Sequence, residues 1–516
     1  MADDLQTEII DFLSRPQTHG ISDAVETAET HISVIFLAGE RVFKLKRAVK
    51  FPYLDFSTAT LRQQACEAEV RINRLTAPDL YKGVRAVTRE VDGSLALDGP
   101  GGAIDWLVEM ARFDEETLFD RLAQRDGLDR HLMEVLADRI AGFHKTAKVH
   151  ADGGGSGAVQ TIAENNAQCF ADYGRDIFDD ATVGRLNHNT LAAVEEQAGL
   201  LDTRRSAGCV RRCHGDLHLR NIFLADGQPT LFDAIEFNDF FTFIDVLYDL
   251  AFLIMDLDHR GLRQQANIVF NRYLDVTGDG GGLGVIPLFL SLRAAIRAHV
   301  GAAASKAHSD PVQAAALTRD ARAYLNSAVS YLSPPSPRLV AVGGLSGSGK
   351  SRLGRVLAPF LGGAPGARVL RSDTIRKRLA GVSPLKRLGQ EGYSKEMTER
   401  TYDTLYEEVG NGVAAGHTVI ADAVFARPGQ RQRVADIARQ ADVPFDGLWL
   451  EAAPEIMAER VAKRRHNPSD ATVEVLNQQL DYDLGEIDWT RIDSSGSRQA
   501  TLEAGLQALQ VKRAAN

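Results

Sequence analysis

The chain has 516 residues, 44% apolar and 25% charged, the composition of an ordinary globular protein too long for one hydrophobic core. A formal net charge of −10 disfavours a general nucleic-acid binder, which needs a basic surface, but leaves room for a local basic pocket around an anionic substrate. Four cysteines make no disulfide framework here, the acidic start Met1-Ala2-Asp3-Asp4-Leu5 is no secretory signal, and no uninterrupted apolar run nears the roughly 18 residues of a membrane helix, so a cytoplasmic location is expected.

Along the chain, Ile32, Val34 and Phe36 alternate, Ala38-Gly39-Glu40 predicts a hairpin turn, and Val42, Lys44 and Lys46 share one face of the next strand. Ser57 is the expected cap of a helix whose apolar positions, Leu61, Ala65, Ala68, Ile72 and Leu75, keep helical spacing, with Glu67 and Glu69 on it. Residues Glu115 to His150 read as mainly helical. The glycine runs Gly153 to Gly157 and Gly278 to Gly284 lack a following Lys-Ser/Thr and read as flexible connections. Alanine-rich helical sequence extends from about Leu288 to Leu332. Then Ser333-Pro334-Pro335-Ser336-Pro337 forms a stiff linker between a domain at 1–332 and another at 338–516, because its prolines can neither continue a helix nor join a central strand.

The first domain holds His214-Gly215-Asp216-Leu217-His218-Leu219-Arg220-Asn221, with Leu231-Phe232-Asp233 soon after. Phosphoryl transfer needs a carboxylate beside the acceptor hydroxyl and oxygen ligands for the Mg2+ that bridges nucleotide phosphates. Asp216 suits the first role, and Asn221 with Asp233 suits the second. A small-lobe lysine should neutralise the phosphates, held by a glutamate. Val42-Phe43-Lys44 makes Lys44 the choice over Lys46, and Glu69 is chosen over Glu67. Glu236 reads equally as a third group around the metal or as a surface carboxylate.

This segment resembles the aminoglycoside phosphotransferase and choline kinase-like branch of the protein-kinase-like fold, over about residues 25 to 330. The His-Gly-Asp-Leu-His-x-x-Asn loop carries the likeness, with Leu231 to Phe237 resembling the strand that bears the metal aspartate. Asp245 and Tyr248-Asp249-Leu250-Ala251 resemble the helix that follows it. The resemblance implies an α+β, bilobal protein-kinase-like domain. A glycine-rich nucleotide loop of the protein-kinase type is missing near Thr30-His31-Ile32-Ser33.

The second domain opens with a short apolar strand running into Gly344-Leu345-Ser346-Gly347-Ser348-Gly349-Lys350-Ser351, a complete Walker A loop. Its backbone N–H groups should close around ATP phosphates at the positive end of a helix, with Lys350 on the β/γ-phosphates and Ser351 on Mg2+. Thr418 to Asp422 is an apolar strand ending in an acid, which predicts Asp422 as the second metal group. Asp373 and Arg376 are three apart and face one cleft, Asp373 orienting an acceptor hydroxyl and Arg376 holding its anionic group. Arg460 and Arg464 read as lid arginines over the phosphates. For Arg465 a solvated helix face is an equal reading.

Residues 338 to 516 resemble the gluconate kinase, zeta-toxin and polynucleotide kinase group of P-loop kinases, and the Asp373-x-x-Arg376 arrangement carries much of that likeness. An α/β P-loop NTPase domain, a parallel sheet flanked by helices, is the implied fold. The combined expectation is a bifunctional ATP- and Mg2+-dependent kinase for small hydroxylated molecules. Two rivals stay open: one half as a nucleotide sensor for the other, or a P-loop half acting on nucleic-acid 5′-hydroxyls or sugar nucleotides.

Overall fold

The computed structural model describes residues 2–51, 54–383, 386–463 and 469–511. The chain forms two compact units, Met1–Ala158 with Asp202–Asp256, and Val159–Leu201 with Leu257–Asn516. The proline-rich segment 333–337 lies inside the second unit, which takes helices from both sides of it.

In the first unit an antiparallel sheet runs Glu26–Glu29, Ser33–Ala38, Arg41–Lys46, Gly102–Ala111, Tyr81–Arg89, Leu95–Leu97. Alternation along Arg41–Lys46 decides what each face does. Phe43 and Leu45 point into one core with Ile9, Leu13, Val34 and Phe36. Val42 points the other way, toward Cys66, Val70 and Tyr81 beneath the helix Ala59–Asn73, and Lys44 and Lys46 share its parity. Each fully buried Phe or Leu contributes about 1.5–3 kcal/mol, enough to fix this register. The hairpin turns at Gly39-Glu40 as expected, with Ala38 opposite Arg41. The helix cap falls one residue later than expected. Thr58 Oγ1 accepts from Leu61 N at 3.2 Å, while the Ser57 hydroxyl is turned to Asp55 Oδ1 at 2.6 Å.

Two glycine runs are more ordered than their composition suggests. The helix Gly155–Tyr173 begins inside the first, where Ser156 N donates to Asp202 Oδ1 at 3.0 Å. Gly280–Val285 forms a 3-10 turn with Leu283 and Val285 buried. In both cases tertiary contacts overrode local entropy.

The helical part of the second unit includes Ile286–Ala307 and Pro311–Tyr331, two helices where the sequence read one helical stretch. By length and composition Gly280–Ala307 could cross a membrane, but 72% of its apolar window is buried within the fold. Arg293 and Arg297 interrupt that window, so no continuous apolar run shows in the sequence.

The sheet of the second unit is wholly parallel, in the order Arg368–Arg371, Val419–Asp422, Leu339–Gly343, Phe445–Glu451, Thr490–Asp493. One face packs Leu339, Ala341 and Leu370 against Leu405 and Val409, and the other packs Val340, Val342 and Val369 against Leu353, Leu357 and Leu506. Burial on both sides is what near-continuous apolar strands require.

The edge strand Arg368–Arg371 does not face water alone. Asn271, on the helix Arg263–Thr277, accepts from Val369 N at 2.8 Å and donates to Ala367 O at 3.1 Å. Asn267 donates to Pro365 O and Ala367 O, at 3.2 and 3.1 Å, and Asp275 pairs with Arg368 at 2.6 Å. Side chains thus take the place of a neighbouring strand and satisfy an otherwise open edge.

Two candidate phosphate-handling sites

At the first site, Gly215 has φ +84°, and a Cβ there would stand 2.9 Å from Phe241 O, so the turn into Asp216 requires glycine. Asp249, fully buried, anchors that turn by accepting His214 N at 3.1 Å and Gly215 N at 2.8 Å. Its carboxylate also lies 3.1 Å from His144 Nε2. Asp256 fixes the far end of the loop through Leu219 N at 3.0 Å. His144, Cys213 and Asp249 form a buried cluster with ligand atoms within 4.8 Å. Two backbone N–H groups and an imidazole already occupy the Asp249 oxygens, so the cluster works as an anchor. Burial holds His214 below its ordinary pKa, despite the nearby Asp249 and Asp216 carboxylates.

Within the loop, Asn221 Nδ2 donates to Asp216 Oδ2 and to Asp216 O, both at 3.0 Å, which leaves its carbonyl oxygen for another partner. His218 Nε2 stands 3.3 Å from Asp216 Oδ2 and its ring meets Phe252 edge-on, so it touches the candidate base as well as packing the loop.

Asp233 comes next, just past the hairpin Ile222–Ala225 and Gln228–Leu231. The strand expected over Leu231 to Phe237 ends at Leu231, because Asp233 has φ +60°, a left-handed conformation costing a non-glycine residue about 1–2 kcal/mol. Hydrogen bonds from Asp233 N to Tyr81 Oη at 3.1 Å and from Ala234 N to Asn73 Oδ1 at 2.8 Å hold it there. Phe232 N donates to Asn221 O at 3.1 Å, setting the two predicted metal groups on adjoining segments.

The lysine question has a geometric answer. Lys44 Nζ lies 2.9 Å from Glu69 Oε1 and 2.7 Å from Asp233 Oδ1. Lys46 Nζ lies 2.6 Å from Glu69 Oε2 and also pairs with Glu236. Lys44 is the more accessible of the two, at 15% against 1%. Glu69 is fully buried, whereas Glu67 is exposed and bonded to Gln63. Burial by itself would depress the Lys44 ammonium, yet Asp233, Glu69 and Glu236 outweigh it and hold its pKa well above normal. Burial likewise opposes the charge on Glu69, and the two lysines overcome it and keep the carboxylate ionised.

The second site begins where the central strand Leu339–Gly343 enters the loop Gly344 to Ser351, and the helix Lys350–Leu357 leaves it. Gly347 has φ +88°, and a Cβ there would sit 2.5 Å from Met457 O; at Gly344, φ +139°, one would sit 2.6 Å from Leu450 O. Neither position accepts a side chain. Ser346 N donates to Gln479 Oε1 at 2.8 Å, and Ser494 Oγ donates to Ser348 O at 2.6 Å. Arg460 reaches the loop at Gly347 O, 3.5 Å, and donates to Ser494 O at 2.7 Å. Lys350 is buried, its Nζ 3.5 Å from Leu345 O, and Ser351 follows on the first helical turn. Arg464 lies outside the described residues, as do Arg465 and Asn467.

Asp422 ends the strand next to the loop and is 2% exposed. It pairs with Arg371, its partner in the strand register, at 3.3 Å. Asp373 lies in the first turn of the helix Ser372–Leu379, with Arg376 one turn on. Arg376 is more tied down than expected: it donates to Gly392 O at 2.9 Å and Thr398 Oγ1 at 3.2 Å, and lies 5.0 Å over the Tyr393 ring. Three buried polar atoms around the loop, Ser348 Oγ, Asp422 Oδ1 and Arg371 Nη2, have no hydrogen-bond partner among the described residues. Leaving such atoms buried costs about 1–3 kcal/mol each, so the arrangement fits an oxygen-rich anion and its cation.

Sequence reasoning missed the supports. Asn73, Tyr81, His144 and Asp256 at the first site, and Arg371, Gln479 and Ser494 at the second, belong to no local motif. Their signal is spatial. Only Arg371, two residues before Asp373, was close enough to notice.

Residues 339–482 match the family described as the AAA domain. Over 499 residues the chain is 28% identical to an uncharacterized protein of Mycobacterium tuberculosis and to one of Mycobacterium bovis, spanning 94% of this chain and 95% of theirs. Among solved structures, a choline kinase from Cryptosporidium parvum is similar over 64% of this chain and 95% of its own, at 12% identity and a TM-score of 0.39. A gluconokinase from Sinorhizobium meliloti is similar over 34% of this chain and 92% of its own, at 20% identity and a TM-score of 0.25. Within 339–482, the wholly parallel sheet whose central strand enters the Gly344 to Ser351 loop is a P-loop arrangement.

Proposed function

We propose that this protein is a bifunctional phosphotransferase that moves the γ-phosphoryl group of ATP to hydroxyl groups of small molecules, with one site in each part of the chain. The single observation that supports it most is Lys44 held at once by Glu69 and Asp233, since a cation poised beside a metal-type carboxylate is what a triphosphate site needs. Asn221 and Asp233 would hold Mg2+ at the first site, Ser351 and Asp422 at the second. Bound there, the cation neutralises charge on the nucleotide phosphates.

The chain's own groups do the rest. At the first site Asp216 accepts the proton of the acceptor hydroxyl, oriented by Asn221 and His218, as the acceptor oxygen bonds to the γ-phosphorus and ADP departs. Lys44 leaves Asp233 for the α/β-phosphates. At the second site Gly344 to Ser351 wraps the phosphates with backbone N–H groups, Lys350 and Arg460 balance their charge, and Arg464 joins them in this proposal. Asp373 faces the acceptor hydroxyl, and Arg376 steadies the acceptor side through its turn and the Tyr393 ring. ATP supply and the acidic surface make the cytoplasm the proposed setting. The acceptors proposed are small hydroxylated molecules, with nucleic acid and membranes outside the reading.

A screen of metabolite extracts for ATP-dependent gain of one phosphate, run on Asp216→Asn and Lys350→Ala proteins in parallel, tests this. Two distinct acceptors, each lost in one variant, support the proposal. No phosphorylated product from the unmodified chain overturns it.

A further inference from the structure

The first site contains one more buried lysine than the proposed reaction uses. Lys46 is 1% exposed, so no nucleotide reaches it, yet it bridges two acids from separate elements. Glu69 comes from the helix Ala59–Asn73, and Glu236 comes from the irregular segment three residues after Asp233. Together the groups form an alternating line, Glu236, Lys46, Glu69, Lys44, Asp233, in which the inner carboxylate is shared oxygen by oxygen between the two lysines. The strand period of two puts both ammonium groups on one face, which makes the sharing possible.

We infer that Lys46 and Glu236 are positioning residues that pin the Asp233 segment and Glu69 in place, so that Lys44 can leave Asp233 for the nucleotide without the site losing its shape. This rests on the first-site reading above.

The physical reason lies in what happens when Lys44 moves. Glu69 is 0% exposed and keeps its charge only while a cation touches it. If Lys44 were its sole partner, carrying Lys44 toward phosphate would strand a buried carboxylate. Lys46 prevents this by holding Oε2 while Oε1 stays aimed at Lys44. Glu236, at 7% exposure, balances the second lysine and ties the backbone beyond Asp233 to the strand Arg41–Lys46. Asp233 itself is 43% exposed at the side chain and sits in a left-handed conformation, so this tether adds to the backbone holds at Tyr81 and Asn73.

The test uses the full chain with the second site silenced by Lys350→Ala, and measures equilibrium binding of Mg·ATP by calorimetry across a Mg2+ titration. Glu236→Ala should raise the Mg2+ concentration needed for half-maximal binding about tenfold, while affinity at saturating Mg2+ recovers to within about threefold of the parent. Glu236→Gln, which keeps an oxygen for Lys46, should stay within about threefold throughout. Lys46→Met should weaken binding at least about tenfold, and Lys46→Met/Glu236→Ala should be no worse than Lys46→Met alone, as expected of one unit. If Lys46→Met does not fold, Lys46→Arg replaces it and should bind like the parent. Unchanged Mg2+ dependence in Glu236→Ala, or effects of the two substitutions that simply multiply, overturns the inference while leaving the site reading intact. Absence of Mg·ATP binding in the Lys350→Ala parent overturns the site reading itself.

Discussion

On the reading proposed above, the two candidate sites solve one electrostatic problem in opposite ways. At the first, charges are paired in advance by side chains gathered from across the sequence: Lys44 and Asp233 meet although 189 positions separate them. At the second, an eight-residue loop presents backbone groups, and Ser348 Oγ, Asp422 Oδ1 and Arg371 Nη2 remain buried with no hydrogen-bond partner among the described residues. A side-chain site tolerates the empty state because its ions neutralise one another, and must exchange partners to work. A backbone cradle carries its desolvation cost until phosphate arrives and exchanges little.

The largest effect should come from Asp216→Asn, which removes a proton acceptor and should lower first-site turnover by about 10²–10⁴-fold. ATP affinity should move far less, because Asp216 meets the acceptor side. Steady-state kinetics against direct binding decides it. Equal losses in turnover and affinity would make Asp216 a binding group and blur the contrast between the sites. Lys350→Ala should lower second-site transfer by at least about 10²-fold and leave the first site active. Loss of both activities together would break the comparison outright, since it would mean one composite site.

A smaller effect concerns stability. Asn271→Ala leaves Val369 N at the sheet edge without its partner, while Ala367 O keeps Asn267, and should destabilise the second unit by about 2 kcal/mol. Denaturant unfolding of the full chain, read by the buried Trp449 and Trp489, measures this, and an unchanged midpoint removes the helix Arg263–Thr277 as a support of that sheet.

A further stability effect is a pH slope, to which the second unit contributes through two buried histidines. Burial lowers His299 and His417 from 6.5 to about 4, so the folded state keeps both neutral while the unfolded chain protonates them below pH 6.5. The unfolded state then binds more protons, and stability is full above pH 6.5 and falls as pH drops toward 4. Each histidine should contribute about 2 kcal/mol of loss between pH 7 and pH 5. His417→Gln, which keeps a donor for Gly366 O, should flatten the slope, and an unaltered slope would contradict the assignment.

The same contrast explains what could be read in advance. The P-loop, its strand and helix, Asp422, and Asp373 with Arg376 are local patterns, and each element appears where the sequence places it. Asp216 and Asn221 were legible for the same reason. The choice of Glu69 over Glu67 was not, because only burial under the sheet separates two exposed-looking glutamates of one helix. Glu236 could be read two ways until Lys46 was seen against it. Thr58 displaced Ser57 as the cap because Asp55 had taken the serine hydroxyl, a competition one hydrogen bond long. The glycine runs misled because composition reports local entropy, whereas Asp202 and the buried Leu283 and Val285 supply order from a distance.

The most direct measurement of the central claim is the number of Mg·ATP molecules bound per full-length chain at equilibrium. Two are predicted, falling to one in Lys44→Ala or Lys350→Ala and to none in the double variant. A single bound nucleotide in the unmodified protein, or loss of both on either substitution, would contradict two separate phosphate-gripping sites.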